Sequence, residues 1–232
     1  VVVNFDVDDD GNDKYGLIDT KGKLLLPITY DEIGSSKFEE LNTDGLNIDD
    51  DIDIFRIESN EKNGYANTKG EIIVNPTYDS AGSFSEGYAD VCNNEKYGFI
   101  DQKGKLVIPC QYDKTLSFKE NVCGVCVGEK WGVINKKGKY IANPKYDSMS
   151  SYSEGYAAIK KDDKWGYIDT KGKEVIKTKY VDAYSFINGK AVVEDSKNKL
   201  GIINTNDKWL KTIKYDIYPI HPRLSEDIYS IE

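Results

Sequence analysis

The chain has 232 residues, a net charge of −9 and 39% apolar residues, with 17 Tyr, 20 Gly and a single Met. That is long enough for a sizeable core, and the make-up favours β structure over helix. No apolar run approaches the roughly 20 residues of a bilayer-spanning helix.

The acids are concentrated at one end. Residues 1–13 carry five and no base, and residues 31–61 carry eleven against Lys37 and Arg56. Those segments are net −14, so the rest is close to +5. Nucleic acid or anionic lipid is therefore disfavoured as a partner of the acidic end.

The chain opens on Val1-Val2-Val3 without an initiator Met, as a processed or trimmed chain would. Val1–Val7 reads as the third strand of a unit preceding the first repeat. Asp6, Asp8 and Asp10 then follow the start of a calcium loop, but Leu17 stands where the closing bidentate Glu is needed. These three are weak calcium candidates, and an acidic turn fits them as well.

From there one pattern recurs. Its anchors are Gly16, Gly64, Gly98, Gly132, Gly166 and Gly201, spaced by 48, 34, 34, 34 and 35 residues. A fixed period of this size marks a repeat architecture. Residues flanking each anchor are mostly aromatic or aliphatic, so this strand is expected to be buried on both faces, with the Gly admitting a close neighbour. Asx at +3 and Gly at +6 (Asp169 and Gly172, for example) predict a type I turn with a G1 bulge. A second apolar strand follows and is expected to end at Pro27, Pro76, Pro109 or Pro144. Tyr stands at +14 in every repeat and Asp after it in five. A connector with Phe84, Phe118, Tyr152 or Phe186, able to hold one helical turn, leads to a half-buried third strand such as Gly155–Ile159.

The first spacing exceeds the period by 14 residues, which places an acidic insertion within residues 34–53. Insertions into repeats collect on one face, often a binding face. Glu39, Glu40, Asp49, Asp50 and Asp51 are the candidate partner-binding residues there. Tyr88 and Tyr156, on third strands, join them as candidates for stacking on a peptide or a sugar.

Cys92, Cys110, Cys123 and Cys126 lie in one third of the chain. Cys123 and Cys126 are spaced C-x-x-C, but residues three apart on a strand face opposite sides, so structural thiols are favoured over a zinc site or disulfide. The sole histidine, His221, sits between prolines in the degenerate sixth repeat, without recognisable catalytic partners.

The segments Lys130-Trp131-Gly132-Val133-Ile134-Asn135 and Lys164-Trp165-Gly166-Tyr167-Ile168-Asp169, with the Lys-Gly-Lys, Pro-x-Tyr-Asp and Tyr-Ala segments downstream, resemble the WG-repeat (KWG repeat) family of bacterial β-repeat proteins. The resemblance runs over roughly residues 4–231. It implies a bacterial β-repeat array, often on secreted or envelope proteins, and supplies no catalytic residue.

The expectation is therefore an all-β chain, a single array over residues 1–232 of about six three-stranded antiparallel meander units of ~34 residues. An open array is favoured, with a closed six-unit propeller as the alternative. A non-catalytic protein-interaction or scaffold role is expected. The alternatives are a carbohydrate- or cell-wall-binding module and an accessory domain of a larger enzyme or toxin. The expected partner is a protein, or else a glycan, with no nucleic acid, no cofactor and no transmembrane segment.

Overall fold

The structure, a computed structural model, describes residues 2–6, 13–34 and 54–213, the first five by their backbone alone. The described residues form strands and turns without a helix. They build six antiparallel sheets, each an open ribbon that does not close into a barrel. The chain divides into two compact units, residues 1–112 and 113–232.

In the first unit, β1 (Val2–Asp6), β2 (Asp13–Ile18) and β3 (Leu24–Tyr30) form the first sheet. The second sheet comprises β4 (Glu32–Ile33), β5 (Ile54–Ser59), β6 (Lys62–Asn67) and β7 (Ile72–Tyr78). The third comprises β8 (Ser80–Ala81), β9 (Tyr88–Asn93), β10 (Lys96–Asp101) and β11 (Leu106–Tyr112). β1 pairs along β2 from Val2 opposite Leu17 to Asp6 opposite Asp13, so it takes the third-strand place beside the first anchor strand.

The second unit repeats this order. Its sheets are β12 (Lys114–Thr115) with β13 (Val122–Val127), β14 (Lys130–Asn135) and β15 (Tyr140–Tyr146); β16 (Ser148–Met149) with β17 (Tyr156–Lys161), β18 (Lys164–Asp169) and β19 (Glu174–Tyr180); and β20 (Asp182–Ala183) with β21 (Lys190–Glu194), β22 (Leu200–Asn204) and β23 (Trp209–Thr212).

The three expected strands are present, and a two-residue strand joins them as a fourth. It occupies the start of the connector, where a helical turn was expected. Sheets and sequence repeats are also out of phase: the short strand and third strand of one repeat pair with the anchor strand and second strand of the next.

The second strands do not stop at proline. β7 runs through Pro76 and β15 through Pro144, with the register shifting there. Proline is accommodated because these are edge strands and the site is a bulge, so no ladder hydrogen bond is lost. The bulge also explains the anchor glycine. A β-carbon on Gly132 would meet Ala142 O at 2.7 Å, and one on Gly166 would meet Thr178 N at 2.7 Å.

Within each unit the cores lie between successive sheets. In the first unit, Leu17 and Leu26 pack with Phe55 and Ile57, and Tyr65 with Ala89, Val91 and Ile100. In the second, Val133 and Tyr146 pack with Ile159 and Ile168, and Tyr167 and Ile176 with Phe186 and Val193. The middle sheet of each unit, β4–β7 and β16–β19, is thus covered on both faces. Third strands there are consequently more buried than an alternating pattern implied: Ala157, Ala158 and Ile159 are all buried.

The last anchor spacing, one residue longer than its neighbours, has a local cause. β5–β6 and β17–β18 turn on two residues with positive φ, Asn60-Glu61 and Asp162-Asp163. Between β21 and β22 the turn is instead the longer Asx type, with Asp195 Oδ1 accepting from Lys197 N and Lys199 N, and Asn198 at φ 55°.

Candidate functional surface

Most recurring polar groups are occupied by the lattice. At each anchor hairpin the +3 side chain accepts two backbone N–H groups: Lys137 N and Lys139 N reach Asn135 Oδ1 at 2.9 and 3.1 Å, and Lys171 N and Lys173 N reach Asp169 Oδ1 at 3.0 and 2.8 Å. Gly172, at φ 82°, completes the expected turn. Its tip also rests on the preceding sheet, since a β-carbon there would lie 2.7 Å from Ile141 O. Gly104 sits likewise over Ile73, 2.8 Å from its O. Each tip thereby covers an edge strand that would otherwise be open for pairing.

The Asp after the +14 Tyr ties two hairpins together. Asp79 pairs with Lys62 and accepts Asn94 N at 2.8 Å; Asp147 pairs with Lys130 and accepts Asp162 N at 2.9 Å. The lysine beside each holds its carboxyl below the usual carboxylate range. Across sheets, Glu154 accepts Asn188 N at 2.6 Å and Gly189 N at 2.7 Å, and Glu120 accepts Gly155 N at 2.7 Å. Tyr146 donates to Glu174 at 2.8 Å, and burial with that bond pushes its phenol up to about 12.

The proposed binding residues fall unevenly. Glu39, Glu40, Asp49, Asp50 and Asp51 lie outside the described residues, as do Asp8, Asp10 and His221; Asp6 is described by backbone only, in β1. What can be placed is where the insertion starts and stops. Gly34 N bonds Arg56 O at 2.9 Å, as Gly82 N bonds Asp90 O, so residues 35–53 stand where the third sheet has residues 83–87. Tyr88 and Tyr156 are half-buried. Tyr156 lies against Phe186 with ring centroids 5.1 Å apart, so part of its ring serves the core.

All four cysteines are free thiols, three buried and Cys110 half-buried. Cys123 Sγ donates to Leu116 O at 2.9 Å. Burial pushes Cys92, Cys110 and Cys126 up, which suits inert structural thiols. Among the described residues no group of three or more His, Cys, Asp or Glu could hold a metal ion.

Sequence reading passed over one charged column. At matching places on the third strands stand Arg56, Asp90, Gly124, Ala158 and Val192. Arg56 Nη2 bonds Glu32 Oε1 at 2.7 Å. The Asp90 carboxyl fills the space left by Gly82, and burial raises its pKa. Aligning third strands residue by residue, rather than reading them for alternation, would have revealed it.

A family model described as WG containing repeat matches residues 15–40, 64–97, 97–131, 131–165 and 165–199. No curated protein sequence matches the chain. Among solved structures, BamB from Moraxella catarrhalis is similar at 9% identity and TM-score 0.42, over 69% of this chain and 58% of that one. Kluyveromyces lactis Hsv2 is similar at 12% identity and TM-score 0.42, over 66% and 59%. PorZ, a surface component of the type-IX secretion system of Porphyromonas gingivalis, is similar at 9% identity and TM-score 0.39, over 91% and 30%. The chain thus spans under two thirds of the length of each. No helix among the described residues is long and apolar enough to cross a membrane.

Proposed function

The chain belongs to the WG-containing repeat family, and from that premise we propose that it is a non-catalytic bacterial repeat protein whose exposed surface binds other proteins. The supporting observation is the use made of its polar groups. Asx side chains close turns, Asp79 and Asp147 staple hairpins, and Glu120 and Glu154 join sheets. A reaction needs groups held apart from such structural duty; a binding surface needs a rigid scaffold and a departure from the repeat. The acidic insertion supplies the departure, with Asp49, Asp50 and Asp51 and the half-buried Tyr88 and Tyr156 as the proposed contacts.

The test is affinity capture followed by quantitative mass spectrometry, comparing the native chain with one carrying Ala at those five positions. Partners retained by the native chain should be lost by the variant at equal folded fraction. Equal retention of every partner would sink the proposal. Exposed tyrosines, Tyr140 at 38% and Tyr184 at 36%, favour a glycan as the second reading. A glycan array without a hit would remove it.

A further inference from the structure

We propose that the tips of the β14–β15 and β18–β19 hairpins form a docking face for a second copy of this chain, which enters through its acidic residues 39–53. The inference rests on the protein-binding reading above and names its partner.

The face is built from Lys137, Lys139, Lys171 and Lys173 around Tyr140. All four lysines are exposed, and their ammonium groups form no ion pair among the described residues. They differ in this from Lys62 and Lys130, which hold Asp79 and Asp147. Their backbone N–H groups are fixed by Asn135 and Asp169, so the side chains project from rigid turns. The two tips are adjacent: Gly172, between Lys171 and Lys173, rests on Ile141, which follows Lys139 and Tyr140. The carboxylates nearby are already occupied. Asp169 accepts the two turn N–H groups, and Glu174 is held by Lys145 and the Tyr146 hydroxyl. Tyr140 adds an exposed ring at 38%.

The complementary chemistry is in the same sequence. Residues 39–53 carry seven acids and no base, interleaved with Leu41, Leu46, Ile48 and Ile52. Such a segment offers carboxylates to the four ammonium groups and aliphatic side chains to Tyr140. The asymmetry extends to the whole chain: residues 1–112 hold 10 Lys and Arg against 23 acids, residues 113–232 hold 21 against 17. Opposed potentials of this kind orient and accelerate encounter.

Sedimentation velocity on the full chain tests this. At about 50 mM salt, where screening is weak, the weight-average mass should rise above the 26.2 kDa monomer as concentration increases. Raising salt to about 500 mM should weaken association at least tenfold. Reversing the lysines (K137E, K139E, K171E, K173E) should give a monomer, as should reversing the segment (D49K, D50K, D51K). Mixing the two reversed chains should restore association. A milder Lys→Gln set, with unfolding midpoints recorded, guards against misfolding and should still weaken association about tenfold. A monomer at low salt, association that survives lysine reversal, or a mixture that stays monomeric would each overturn the proposal. So would binding to anionic vesicles that the lysine reversal abolishes without any change in mass. None of these outcomes bears on capture of other partners, so failure here remains separable from failure of the general reading.

Discussion

Gly166 and Trp165 are neighbours with different burdens. Gly166 faces a bulged edge strand that leaves no room for a β-carbon, whereas Trp165 is half-buried and pairs across the strand with Tyr180 and Lys160. Gly166→Val should therefore cost about 3 kcal/mol or more through a forced backbone shift. Trp165→Ala should fall at or below the lower end of the roughly 3–5 kcal/mol for a buried tryptophan. Urea unfolding midpoints would rank the two, and the reverse order would refute this division. Asp90 makes a prediction of opposite sign. Its folded carboxyl titrates above the ordinary 3.8, so ionisation opposes folding at neutral pH and the penalty lifts on acidification. Asp90→Ala, which copies Ala158, should raise the midpoint at pH 7, and the gain should shrink towards pH 3. The anchor glycines were legible because six copies coincide. Asp90 was not, because its environment comes from Gly82, in the connector just after β8.

At the level of strands and turns, the hydrogen bonds between repeats set cooperativity. Glu154 bonds two successive amides of the next sheet, and Glu154→Ala should cost about 1–2 kcal/mol. The amides of Asn188 and Gly189 should lose hydrogen-exchange protection first; unchanged protection would show that the bonds carry no weight. The Lys130–Asp147 staple has the usual carboxylate sign. With the folded Asp147 pKa below 3.8, its contribution is present above that value and disappears as pH falls through the folded one. Asp147→Asn should be less stable than the native chain at pH 7, with the difference closing in acid. Turn chemistry was readable here because Asx and Gly act on their own backbone. The short fourth strand was not, since two residues carry no periodicity and only pairing with the following strand defines them.

For the molecule as a whole, the insertion decides charge more than fold. Residues 35–53 fill a gap that five residues, Ser83 to Gly87, fill in the next sheet. Replacing them with Ser-Phe-Ser-Glu-Gly should leave the sheets intact and add about 1 kcal/mol by shortening the loop. The net charge would change from −9 to −4, since seven acids and one lysine leave and one Glu enters. Circular dichroism and thermal unfolding would check this, and loss of cooperative unfolding would show that the insertion is structural.

The phase offset between sheets and repeats bears on how such a gene can change length. Any window of one period contains one short, one third, one anchor and one second strand, wherever it begins. An unequal crossover between two repeats therefore adds or removes one complete sheet irrespective of its breakpoint, provided that the exchange is in register. Gains off the period are absorbed between strands, where no ladder is broken: the extra 14 residues in the connector after Gly34, the single extra residue of the last spacing in the turn between β21 and β22.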